Sequence, residues 1–229
     1  LYDVQNLGIY FSPCGIGLGH VARCVSISKE ILERGGEILF STYLEGLDYV
    51  NRHSLPVVPA PPLKMANDHS GSISLRASGV SEGMTAGHTF MQQLKSELGY
   101  IRSFEPDLVF SDSRLSSIIA ANLLSIPVVL LINQFQPMVP RKDDRYHLYK
   151  FLDGSILTLL GHGWGQSNLI LIPDFPNPYT ISLDSLRIPE KYKDRVRFVG
   201  TILTDESEDV EDYEEVRELI GAGEMLIYA

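Results

Sequence analysis

This chain has few of the residues from which staples, metal centres and membrane anchors are built. Two cysteines in 229 residues cannot make a disulfide framework. Cys14 and Cys24 read as small buried fillers in a reducing compartment, the cytoplasm by default. The six histidines are scattered, with no His-x-x-x-His pair and no Cys-x-x-Cys, and that spacing argues against a metal site. No apolar run approaches the roughly 20 residues of a membrane-spanning helix. No charged-then-apolar signal segment opens the sequence, which starts at Leu1 rather than Met. A basic stripe is missing too, which argues against nucleic acid as a ligand.

The net charge of −10 does not mark the whole surface. Between Thr204 and Glu224 lie ten acidic residues and one basic residue, Arg217, so that segment carries −9 and the rest only −1. It reads as a solvated linker and helix face.

What is present is an alternation of strand and helix patterns. Leu7–Phe11, Glu37–Tyr43, Pro56–Val58, Asp107–Ser111, Pro127–Ile132, Asn168–Ile172 and Val196–Val199 read as strands. His20–Arg34, Leu44–His53, Met84–Phe104, Ser113–Leu124, Asp144–Leu160 and Val210–Ile220 read as helices, and Met225–Tyr228 starts a last strand. Gly35-Gly36 and Gly221 are stop signals. Pro127–Ile132 is apolar throughout, as strands covered on both faces are. The order predicts an α/β fold with a doubly wound, mostly parallel, Rossmann-like sheet. Lys64–Gly83 is a long loop rich in Ser, Gly, Asn and Asp, of a length often tied to function. Gly161-His162-Gly163-Trp164-Gly165 reads as a flexible connection in which Trp164 packs.

In such a sheet, ligands bind beyond the carboxyl ends of the strands. The first such end is Pro13-Cys14-Gly15-Ile16-Gly17-Leu18-Gly19-His20-Val21-Ala22-Arg23. A strand, a glycine-rich turn and a helix start together bring backbone N–H groups and one imidazole to the same place. A dinucleotide fingerprint is Gly-x-Gly-x-x-Gly; here His20 stands where the third glycine should be. Imidazole titrates near neutral pH and can take a proton from an attacking alcohol. The plainer reading of His20 is a helix-start side chain bonded to backbone. Arg23, one turn on, can hold a phosphate or fix an acceptor, or it can sit at the helix surface. Asp112 can accept from sugar hydroxyls, and capping the helix that starts at Ser113 is its other role. Gln134 and Gln136 bracket Phe135 after another strand, a set that suits a sugar or a plain loop. His88 can contact an acceptor or simply stand near a helix start.

The segment Phe11–Arg23 resembles the first glycine loop of GT-B glycosyltransferases, in the MurG-like branch (glycosyltransferase family 28-like) with its Gly-x-Gly-x-Gly-His-x-x-Arg pattern. Phe104–Asp112 is similar to that family's mid-domain strand and loop, and Val196–Leu203 to the segment leaving its N-terminal domain. The resemblance implies two Rossmann-like domains: residues 1–203 as the acceptor-binding domain, then residues 204–229 as an acidic linker leading into the first strand of a donor domain. It implies metal-independent transfer of N-acetylglucosamine or a related hexose from a nucleotide-diphosphate sugar to a glycan or lipid-linked acceptor, with no cofactor. His20 would be the base, and Gly15, Gly17, Gly19, Arg23, His88, Asp112 and Gln134 would bind substrate. The nucleotide site would lie in the C-terminal donor domain, in cis or in trans, so the 229-residue chain alone is expected to be inactive. Met65, Ile73, Leu75, Met84 and Phe90 allow contact with a lipid-linked sugar at the inner face of the membrane. Two other readings stay open: an NAD-dependent sugar-nucleotide enzyme and a non-catalytic sugar-binding subunit.

Overall fold

The apolar runs pair into one parallel sheet. The structure is a computed structural model that describes residues 4–62, 80–133, 161–181 and 190–203, with side chains on the long central helix from residue 87 onward. Its strands are β1 (Gly8–Pro13), β2 (Glu37–Thr42), β3 (Val57–Pro59), β4 (Leu108–Asp112), β5 (Val128–Leu131), β6 (Leu169–Ile172) and β7 (Val196–Phe198). The helices are α1 (Leu18–Glu33), α2 (Glu45–Arg52), α3 (Val80–Phe104) and α4 (Leu115–Leu123). The seven strands lie in the order β3-β2-β1-β4-β5-β6-β7, and every pair is parallel.

Strand periodicity decides which residues face which layer. Ile9 and Phe11 of β1 join Phe40, Phe110 and Leu131 against Val21, Val25, Tyr49 and Val50 of α1 and α2. Tyr10 points the other way and joins Val109, Val128 and Leu130 against Ile101 of α3 and Ile118 of α4. Both faces are thus covered, and so the strand sequences run apolar without a clean polar alternation.

The topology places the site. From β1 the chain winds outward to β3, returns through α3 to β4 on the other side of β1, and winds outward again. The two windings diverge between β1 and β4, and the crevice at their carboxyl ends is where open α/β sheets take ligands. Pro13 and Asp112 are register partners at that point.

The predicted elements and the observed ones agree to within a few residues, with three differences. Residues 161–164 are helical rather than a flexible connection, and Trp164 is buried in the core. The glycines there admit neighbours: a Cβ on Gly163 would lie 2.2 Å from Leu115 Cδ1, and one on Gly165 2.1 Å from Tyr192 Cζ. A 3₁₀ turn, Glu190–Arg195, precedes β7. The helix expected from Ser113 starts at Leu115, because Ser113 itself has φ +62°. The expected helices at 144–160 and 210–220, the last strand at 225–228, the acidic segment and most of the 64–83 loop lie outside the described residues.

Candidate active site

The three glycines after β1 do three different things. Gly15 is buried, and a Cβ there would lie 1.9 Å from the Tyr43 carbonyl oxygen. It is therefore a glycine that packing requires, since only a hydrogen fits against the Tyr43 backbone. Gly17 is the N-cap of α1, with φ 72° and ψ 146°, a backbone state that favours glycine. Gly19 is exposed in the first turn of α1, and a Cβ there would meet nothing within 4 Å. No neighbour among the described residues requires a glycine at 19.

No side chain caps α1, and no acidic residue stands in its first turn. His20 sits in that turn with its side chain 33% exposed, and its Nδ1 lies 2.7 Å from Oδ1 of Asp112, which is completely buried. Phe110 and Asp112 share the face of β4 that packs on α1, so the strand aims the carboxylate at the helix carrying His20 and Arg23. Arg23 then clasps it: Nη2 donates to Asp112 Oδ1 at 2.5 Å, and Nε donates to Oδ2. A third donor, Nη1, reaches Asn133 Oδ1 at 2.6 Å just past β5. Arg23 Nη2 also lies 3.2 Å from His20 Nδ1. A guanidinium can only donate and an ionised carboxylate can only accept. The shorter contact therefore sets the neutral ring: Nδ1–H donates to Asp112, and Nε2 is left as an acceptor with no partner among the described residues.

Cys24, next to Arg23, is buried, and its Sγ is 3.9 Å from Asp112 Oδ2. Burial, and then the nearby carboxylate, pushes its thiol well above the usual cysteine range, so it stays a neutral filler. Cys14 is half-buried, with Sγ 3.4 Å from the Tyr43 hydroxyl. Burial also raises the pKa of that hydroxyl, with Cys14 adding to the effect.

A second buried carboxylate lies across the sheet. Glu97 of α3 is fully buried and accepts from Tyr10 Oη at 2.7 Å, Ser41 Oγ at 2.8 Å and Arg114 Nη2 at 2.5 Å. Arg114 also donates to the Ser41 carbonyl at 2.7 Å and stacks over Tyr43, 5.4 Å from the ring centroid. Because Ser113 reverses the backbone, Asp112 and Arg114, two residues apart, serve opposite faces of the sheet.

Several residue readings change here. Asp112 is not a helix cap: Arg114 holds the N-cap position of α4 with no side-chain cap, and the Asp112 carboxylate is committed to Arg23 and His20. The Asp112 side chain is completely buried, in contact with the partly exposed His20. Arg23 is 9% exposed, not a surface residue at the helix edge. His88 is exposed on α3 and has no part in the His20 group. Gln134, with Phe135 and Gln136, lies outside the described residues. Asn133 is among the residues just past a strand end, where sequence reasoning looks for a ligand site, but that reasoning gave it no role of its own. Glu97 was missed, because a glutamate in an amphipathic helix reads as solvent-facing. Among the described residues no helix is long and apolar enough to cross a membrane.

This parallel sheet with its covering helices has the fold of the N-terminal half of GT-B glycosyltransferases. The UDP-glucosyltransferase of Polygonum tinctorium superimposes with a TM-score of 0.58 at 14% identity, over 87% of this chain and 52% of that one. CalG4, the calicheamicin glycosyltransferase, gives 0.51 at 20% identity, over 86% and 53%. By sequence, the chain is 31% identical over 198 residues to an uncharacterized glycosyltransferase of Methanosarcina mazei, covering 86% of this chain and 51% of that protein. The chain thus spans about half the length of the curated relatives it matches. No protein-family model matches it.

Proposed function

We propose that this chain is the acceptor-binding half of a glycosyltransferase and that His20 is its general base. The observation that carries the reading is the pairing of His20 Nδ1 with the buried Asp112 at 2.7 Å, with the imidazole one-third exposed at the sheet's switch point. The arrangement does what an orienting carboxylate does for a catalytic histidine: it fixes the tautomer and favours the cation that forms during reaction. Arg23 holds that carboxylate still.

In the proposed reaction, the O–H bond of an acceptor hydroxyl breaks and its proton goes to His20 Nε2. The freed oxygen pair forms a bond to the anomeric carbon of the donor sugar. The bond from that carbon to the diphosphate breaks, and the diphosphate leaves with the electron pair. The uncapped first turn of α1 offers N–H groups and a positive dipole end to the negative charge of that step. A nucleotide-diphosphate hexose, such as one carrying N-acetylglucosamine, is the donor that the resemblance implies. It would be held by the other half of a two-domain enzyme in cis or in trans, on the cytoplasmic side and without a metal.

Replacing His20 by Ala in the two-domain protein tests this. Nucleoside diphosphate release in the presence of acceptor is expected to fall about 10²–10⁴-fold, the usual worth of a general base, with the melting temperature unchanged. Near-normal transfer would exclude His20 as the base.

A further inference from the structure

We infer that Asn133 reads the substrate: its side-chain amide donates a hydrogen bond to the oxygen next to the hydroxyl that His20 deprotonates. The site would then select a vicinal diol, as on a sugar, over an isolated hydroxyl. This rests on the reading of His20 as the base.

Arg23 has its donors already distributed. Nε and Nη2 serve Asp112, and Nη1 serves Asn133 at 2.6 Å. Since a guanidinium has no acceptor, the atom of Asn133 facing it is the carbonyl oxygen, and the NH₂ group must be the other end. That end has no partner among the described residues, and Asn133 is exposed at the carboxyl edge of β5. A buried arginine thus holds an amide donor in a fixed orientation and turns it outward. The same guanidinium clasps the Asp112 carboxylate that accepts from His20 Nδ1, so one arginine fixes both Asn133 and the partner that orients His20. His20 and Asn133 present opposite polarities: Nε2 accepts, the amide donates. One hydroxyl giving its proton to Nε2, with a neighbouring oxygen accepting from the amide, matches that pair.

The bland alternative is that Asn133 merely satisfies Arg23. Asn133→Asp separates the two, because it keeps the acceptor for Arg23 and turns the outward donor into an acceptor. The probes are methyl glycosides of glucose, galactose and N-acetylglucosamine, their mono-deoxy forms, and cyclohexanol, with binding to the 229-residue chain followed by NMR. The expected result is that a methyl glycoside binds better than at least one of its mono-deoxy forms and better than cyclohexanol. Asn133→Asp should bind it at least about tenfold more weakly at an unchanged melting temperature. Equal binding by wild type and Asn133→Asp, or cyclohexanol binding as well as the glycosides, overturns the inference alone. If no glycoside binds wild type, the inference falls together with the sugar-acceptor reading of the site.

Discussion

Two buried carboxylates lie on opposite faces of this sheet, each clasped by one arginine, and they differ in what they open onto. Glu97 is closed in by Tyr10, Ser41 and Arg114, all buried. Asp112 is equally buried, yet one of its partners is His20, whose ring reaches solvent. The same ion-pair chemistry is thus closed off on one face and paired with a solvent-reaching histidine on the other. Burial of a charge pair does not by itself mark a site. An exit through a group that can hold a proton does.

The closed-off pair should be costly to break and easy to replace. Glu97→Gln leaves the Arg114 charge buried without its counter-ion and is expected to cost about 3–5 kcal/mol in urea unfolding. Replacing both Glu97 and Arg114 by Met should recover most of that loss, since apolar isosteres often match a buried pair. A small loss in the single variant, or no recovery in the double, breaks the comparison.

The sealed cluster also has an alkaline signature. Burial, and then Glu97, raise the Tyr10 hydroxyl above the ordinary tyrosine range. Its protonated form is the one the fold favours. Stability from this group is complete below about pH 10, where an unfolded tyrosine ionises, and is lost as pH rises through the folded value. The slope approaches about 1.4 kcal/mol per pH unit. Melting curves above pH 10 should fall less steeply for Tyr10→Phe than for wild type.

On the open side, two glycines four residues apart sharpen the contrast. Gly15→Ala pushes a methyl into the Tyr43 backbone, and overpacking of that kind costs about 1–3 kcal/mol. Gly19→Ala meets no atom and should shift stability by less than about 1 kcal/mol, in the direction of a firmer helix. Chemical denaturation of the two variants distinguishes a glycine that packing requires from one that no described neighbour requires.

Much of this was legible in sequence. Apolar runs such as Pro127–Ile132 gave a parallel sheet, and the glycine turn put His20 at its carboxyl edge. The partners of His20 were not legible. Arg23 and Asp112 are 89 positions apart and meet only because β4 inserts beside β1. Asp112 looked like a cap because an aspartate before a serine and a helix usually is one. The positive φ of Ser113 moved the helix start and freed the carboxylate for the other face. The three glycines looked alike because a sequence shows glycine but not what a Cβ would touch.

The central claim is that Asp112 holds His20 with Nε2 free to accept a proton. Long-range ¹H–¹⁵N correlation of the His20 ring in its neutral form tests this most directly. The account predicts the tautomer with the proton on Nδ1, shared with Asp112, and a shift toward the mixed population of a free imidazole in Asp112→Ala. A ring found with its proton on Nε2 could not accept from an acceptor hydroxyl and would contradict the account.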